Sequence, residues 1–155
     1  MDNINVIRVG FFAPAARLAD TEMEIGDPVD RISGRYSCLA FVNPDDEGAR
    51  ILTEIERGLP ASANRLDWNI SAIVPLKPKS ARAFKENRGI GIRLFCDADL
   101  KAGKLYVVVN SASARPAYHP TIFVVGDEGS VRYRQTAGNG DFDLNKFLAS
   151  MARII

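Results

Sequence analysis

The sequence is poor in the residues that most often carry chemistry. It has two cysteines, Cys38 and Cys96, and one histidine, His119, in 155 residues. So few soft ligands exclude a zinc site built from several Cys and His side chains of one chain. Two cysteines do not frame a disulfide scaffold, and a Ser-His-Asp triad could draw only on His119. An excess of one charge is also missing. Lys and Arg total 20 against 19 Asp and Glu, a formal charge of +1. That balance argues against a protein whose task is to neutralise nucleic-acid phosphates. Long apolar runs are absent: 38–42, 105–109 and 122–125 stop far short of the ~18 residues that suggest a membrane span. The first five residues, Met1-Asp2-Asn3-Ile4-Asn5, lack the basic region and apolar core of a secretory signal. The expectation is a cytoplasmic protein with neither metal nor cofactor, and with no nucleic-acid or membrane partner. Nothing repeats, and no segment is of low complexity.

What is present is an ordinary mixture, 46% apolar and 25% charged, enough for one domain over residues 1–155. Residues 36–42 are nearly all apolar, bounded by Gly34 and by Asn43-Pro44, the pattern of a strand buried on both faces. Asn43-Pro44-Asp45-Asp46-Glu47 reads as a helix start, with Asn43 as N-cap and acids in the first turn. Ile51, Leu52, Ile55 and Leu59 recur at helical spacing, and Gly58-Leu59-Pro60 is expected to end the helix. Further strands are expected at 68–74, 92–96, 121–125 and 131–135. Helices are expected from a Ser80 cap through Arg88, with Gly89 as the stop, at 99–107, where Tyr106-Val107-Val108-Val109 fits an extended segment equally well, and from Asp143 onward. Gly138-Asn139-Gly140 breaks the chain before that last helix. Alternating strands and helices predict a mostly parallel five-stranded sheet, with an antiparallel C-terminal hairpin and helices on both faces. That is the outline of a thioredoxin-like fold.

Particular motifs then resemble a known family. Val9-Gly10-Phe11-Phe12-Ala13-Pro14 with Leu18-Ala19-Asp20-Thr21 looks like the opening of peroxiredoxins, the alkyl hydroperoxide reductase and thiol-specific antioxidant proteins. Val29-Asp30-Arg31-Ile32-Ser33-Gly34-Arg35 resembles their turn before the central strand, and Phe41-Val42-Asn43-Pro44 the end of that strand. Arg82-Ala83-Phe84, Leu94-Phe95-Cys96-Asp97-Ala98-Asp99 and the run from Pro120 to Gly129 are similar to later motifs in the same order. The resemblance spans roughly residues 9–154. It implies the thioredoxin-like (redoxin) fold, with 1–35 as an N-terminal extension, and suggests homodimerisation near the active-site helix and the sheet edge.

The chemistry of that family is not matched. Its peroxidatic cysteine follows the pattern P-x-x-x-T-x-x-C. Counted from Pro44, Gly48 falls at the threonine and Ile51 at the cysteine. A C-x-x-C at the same junction would fall near Asp46-Glu47-Gly48-Ala49 and is also missing. A low-pKa thiolate draws on helix N-terminal N–H groups and a nearby cation, whereas Asp45, Asp46 and Glu47 occupy this helix start. The family's arginine before the penultimate strand is replaced by His119 or Pro120.

The remaining candidates each have a plain and a functional reading. Cys38, inside the central strand, reads as a small core residue. Cys96 ends a strand at the pole where α/β sheets place their sites, as a core residue or a reactive thiol. His119 is either an acid/base residue or a space-filler bonded to Asp45 or Asp46. The resemblance implies a cis bond at Pro120. Lys77, Lys79, Arg82, Lys85 and Arg88 read as a solvated basic face, and Arg132-Tyr133-Arg134 as an edge strand. Three readings follow. One is a peroxiredoxin-like binding module without peroxidase activity, with a protein or small-molecule partner that the sequence does not name. Another is a divergent thiol oxidoreductase or antioxidant enzyme using Cys96 with His119. The third is a small-ligand pocket at the same pole, without redox chemistry.

Overall fold

Five consecutive residues with no polar side chain beyond a serine, Ser37–Phe41, form β3, buried along its whole length. The computed structural model describes residues 7–31, 35–62, 68–137 and 142–154. β3 pairs in parallel with β4 (Asn69–Val74), and β4 in parallel with β5 (Arg93–Cys96). On its other side β3 pairs antiparallel with β6 (Thr121–Val125), which pairs antiparallel with β7 (Val131–Thr136). Beyond β5 lie β1 (Leu18–Asp20) and β2 (Ile25–Gly26), giving the order β2-β1-β5-β4-β3-β6-β7.

This sheet is wider and more antiparallel than expected. It has seven strands among the described residues. Only the β3–β4 and β4–β5 pairings are parallel. The two extra strands come from residues 18–26, and β6 running against β3 adds to the antiparallel character. Asp20 accepts the N–H groups of Glu22 and Glu24 through Oδ1, at 2.8 and 2.9 Å. That folds the segment into a tight hairpin that extends the sheet at β5.

Side-chain alternation splits the core in two. Cys38, Ala40, Val74, Leu94, Cys96 and Val124 face α1 (Asp46–Ser62), α2 (Pro78–Arg88) and α4 (Leu144–Ile154). Leu39, Phe41, Ile73, Phe95 and Phe123 face α3 (Lys101–Leu105) and the N-terminal arm. Among the described residues no helix is long and apolar enough to cross a membrane.

Several expected boundaries move, each for a local reason. α1 does not stop at Gly58-Leu59-Pro60 but runs on to Ser62. Leu59 is fully buried. A Cβ on Gly58 would lie 3.2 Å from Leu144 Cδ1, so this glycine lets α4 close on α1 rather than ending the helix. The helical run expected at 99–107 contracts to α3 of five residues, because Val107 takes φ +58° and Val109 bridges Tyr118. α2 starts at Pro78, two residues before the expected Ser80 cap, since proline's fixed φ suits the first helical position. Gly89 ends it as expected, in the left-handed region at φ +63°. The expected break at 138–140 and the turn at 32–34 lie outside the described residues.

Candidate functional site

The carboxyl ends of β3, β4 and β5 and the amino end of β6 meet at one pole, since Phe41 is level with both Ile73 and Thr121. At this pole the chain leaves β3 through Asn43 and turns into α1. Asn43 is not the helix cap. Asp45 is: its Oδ1 accepts Gly48 N–H at 2.8 Å, and its carbonyl accepts Ala49 N–H at 3.0 Å. The turn is so tight that a Cβ on Gly48 would fall on the Asn43 carbonyl oxygen. Gly48, at the family's threonine position, is therefore set by backbone packing.

Freed from capping, the Asn43 side chain reaches across to the loop before β6. Its Nδ2 donates to the Tyr118 carbonyl at 2.9 Å, and its Oδ1 accepts Tyr118 N–H at 2.8 Å. The Tyr118 hydroxyl donates to Asp97 Oδ2 at 2.6 Å. Asp97, 1% exposed, also accepts Ala102 N–H and Gly103 N–H, each at 2.9 Å. Three loops, after β3, after β5 and before β6, are thus joined by one buried network. Burial and the neighbouring Asp97 charge push the Tyr118 phenol well above its ordinary pKa. The phenol stays a hydrogen-bond donor and cannot act as a base near neutrality. Below it, Phe41 packs against Tyr106 and Tyr118 with ring centroids 5.0 and 5.3 Å apart.

The residues singled out from the sequence fall around this network rather than within it. Ile51, at the family's cysteine position, is fully buried in the core beneath α1. Pro44, Asp45 and Asp46 are exposed. Asp46 pairs with Arg88 at 2.8 Å. His119 is exposed, and its imidazole bonds to neither Asp45 nor Asp46; among the described residues only its backbone is engaged, its N–H donating to Val108 O at 2.7 Å and its carbonyl accepting the Thr121 hydroxyl at 2.8 Å. The His119–Pro120 bond is trans, not cis. The flanking backbone is held on both sides, by the His119 N–H bond to Val108 O and by the Pro120 carbonyl accepting Ala137 N–H at 2.8 Å.

Neither thiol is activated. Cys38 is wholly buried, and burial pushes its pKa up to about 12. Cys96 is 8% exposed; burial, helped by the Asp20 charge, pushes it up to about 11. Both are free. They share a sheet face, but Cys38 is level with Ile70 of β4 while Cys96 is level with Val74, four residues along and two strands away. The basic run around α2 is more than a solvated face: Arg82 Nη2 donates to Thr21 O at 2.6 Å, and Lys85 Nζ to Ile92 O at 2.6 Å.

The sequence reading passed over Tyr118, Gly103 and the role of Asp97. A Cβ on Gly103 would stand 2.6 Å from Tyr118 Cε1. Asp-x-Asp ahead of a short helix was the one available sign of a carboxylate collecting helix-start N–H groups.

No family model and no curated protein matches this sequence. Solved structures do match in three dimensions. Peroxidoxin BcpB from Mycobacterium tuberculosis is 17% identical, with TM-score 0.78, over 96% of this chain and 99% of that one. A thiol peroxidase from Chromobacterium violaceum is 17% identical, with TM-score 0.76, over 96% and 88%. A putative protein disulfide isomerase from Bacteroides thetaiotaomicron is 15% identical, with TM-score 0.74, over 96% and 89%. Likeness at these identities establishes the expected thioredoxin-like fold.

Proposed function

We propose that this chain is a peroxiredoxin-like protein that does not reduce peroxides and works as a binding module. The observation that carries this reading is the pole itself. Counted from Pro44, the family's cysteine position falls on Ile51, fully buried in the second turn of α1, and the first turn, Asp46-Glu47-Gly48-Ala49, holds no cysteine. The helix start is already closed by the Asp45 side chain. Both thiols are buried, with pKa values of about 12 and 11. A peroxidatic cysteine needs the opposite environment, electropositive and partly open. The loops of the pole are joined by the Asn43, Tyr118 and Asp97 network, a rigid platform suited to presenting a surface.

The test is hydrogen peroxide consumption in the presence of dithiothreitol, for the native chain and for Cys96→Ser. The expected result is turnover no faster than the reductant alone for both. Peroxide reduction by the native chain that disappears in Cys96→Ser, and falls in His119→Ala, would overturn the proposal in favour of a thiol oxidoreductase.

A further inference from the structure

We propose that the outer edge of β7 receives an extended acidic peptide segment as an added strand. Among the described residues β7 ends the sheet, with β6 as its one strand neighbour. Ala137 N–H donates inward to the Pro120 carbonyl, and Gln135 and Tyr133 share that phase opposite Ile122 and Val124. Backbone groups alternate along an antiparallel strand, so Arg134 and Thr136 point their N–H and C=O groups outward. Among the described residues none of these groups has a partner. Among the described residues, the chain's own arm covers only the beginning of the edge. Val131 N–H donates to Phe11 O at 2.7 Å and Val131 O accepts Gly10 N–H at 2.8 Å. A register shift at Arg132 then separates this covered end from the open one.

Unpaired cations flank the open edge on both faces of the sheet. Arg134 lies opposite Phe123 and is half-buried, yet it makes no ion pair or side-chain hydrogen bond among the described residues. Its neighbour Arg132 does have a carboxylate, Glu128 at 3.5 Å. Burial pulls the Arg134 pKa below its ordinary value, the mark of a cation short of both water and an anion. Beside β7 and the start of α4 lies a hollow of about 400 Å³, lined by Tyr133, Arg134, Gln135, Thr136, Asp143 and Lys146. The Lys146 ammonium has no ion pair among the described residues. The Asp143 carboxylate is engaged in capping α4, accepting Lys146 N–H at 3.0 Å.

An added strand turns alternate side chains to the two faces. One row would pass Arg134 and the other the hollow near Lys146, so carboxylates are favoured in both. A second copy of this chain fits less well. Symmetric pairing about Arg134 sets two guanidinium groups face to face, and a shift of one rung sets Arg132 against Arg134 twice; like charges directly opposite destabilise a ladder. The register pairing Arg134 with Thr136 avoids this but leaves both arginines without an anion. Exposed edges are ordinarily guarded by charge, and an acidic strand turns that guard into recognition.

The inference does not depend on the absence of peroxidase activity, and its readout is binding rather than turnover. The probe is an end-capped octapeptide of four glutamates, two on each face when extended, and four threonines. A second peptide carries lysine in place of glutamate. The glutamate peptide should shift the amide resonances of Arg134, Thr136 and Lys146 and slow hydrogen exchange at Arg134 and Thr136. The lysine peptide should leave all of them unchanged. Arg134→Gln should weaken binding about tenfold, the loss of one charge-assisted contact. Lys146→Gln, at an exposed helical position, should weaken it as well and keeps the test intact if the first variant fails to fold. No binding, equal binding of the lysine peptide, or shifts away from β7 would overturn the proposal. So would protection of Arg134 and Thr136 before peptide is added, whether it rises with concentration as for a second copy or stays constant as for another segment of this chain.

Discussion

Asn43 and Tyr118, 75 residues apart, are joined by two hydrogen bonds of 2.9 and 2.8 Å between one side-chain amide and one backbone unit. The amide reproduces a rung of the β3–β6 ladder just past Phe41 and Thr121, the last paired residues of the two strands. The chain can then turn away into α1 without leaving the Tyr118 N–H and C=O unsatisfied in a buried place. It also fixes the tyrosine so that its hydroxyl meets Asp97.

Tyr118→Phe tests this linkage most simply. It removes the bond to Asp97 Oδ2 while Asp97 keeps the N–H groups of Ala102 and Gly103. A hydrogen bond to a charged group is worth about 1.5–3 kcal/mol. For a domain of this size that lowers the melting temperature by roughly 3–12 °C. An unchanged melting temperature would mean the network carries no stability.

Two glycine-to-alanine changes should differ sharply. At Gly103 the new methyl would meet Tyr118 Cε1 at 2.6 Å and Val109 Cγ2 at 3.0 Å, both on buried or pinned groups. The loss should be about 1–3 kcal/mol. At Gly58 the nearest atoms are the ends of Leu144 and Leu148, at 3.2–3.4 Å, which can shift by a few tenths of an ångström. The helical gain of alanine over glycine, about 1 kcal/mol, offsets that crowding. Urea midpoints should show Gly103→Ala clearly destabilised and Gly58→Ala near the native value.

The sequence revealed most of the elements but few of the partnerships between them. β3 and β6 were legible because their residues are apolar throughout and bounded by polar turns. The hairpin of β1 and β2 was not, because Leu18–Asp20 and Ile25–Gly26 are too short to show alternation. Their cause is the Asp20 carboxylate gathering nearby N–H groups. Gly58 looked like a helix stop, since a glycine that ends a helix and one that admits a neighbouring helix look alike in one dimension. At the pole, the count from Pro44 that sets Ile51 at the resembled family's cysteine position was readable in one dimension, and the structure buries that residue. The Asn43–Tyr118–Asp97 network was not, because nothing local marks a contact between residues so distant in the chain. Asn43 beside Pro44 fitted a helix cap well, and only the tight turn at Gly48 hands that role to Asp45.

Native thiol reactivity should be very low. With its pKa at about 11, Cys96 is thiolate at pH 7 in only about one molecule in 10⁴, against a few per cent for an ordinary cysteine. Reaction with a chromogenic disulfide at neutral pH should be slow before unfolding and release two thiols after it. The Asp20 charge adds to the rise at Cys96, so Asp20→Asn should speed the native reaction. No acceleration in that variant would show that burial alone sets the rate.

Asp20 should also leave a signature in acid. Burial by itself pushes its carboxyl pKa up, but the N–H of Glu24, the Arg93 guanidinium and the N–H of Glu22 outweigh it and hold the pKa below the ordinary value. The Arg93 contact is 2.8 Å, and the Asp20 side chain is 6% exposed. A carboxyl lowered in the folded state gives stability that is fully present above its unfolded pKa, about 3.9, and is lost as pH falls through the folded pKa. The window therefore lies below about pH 4. Urea midpoints measured from pH 7 to pH 2 should fall more steeply below pH 4 in the native protein than in Asp20→Asn. The variant starts lower at pH 7, where it lacks the charged contact with Arg93. The two curves should converge at the acid end, where a protonated Asp20 and an asparagine make nearly the same bonds. Curves that stay parallel throughout would place the acid sensitivity at other carboxylates and remove Asp20 as the anchor of the N-terminal hairpin.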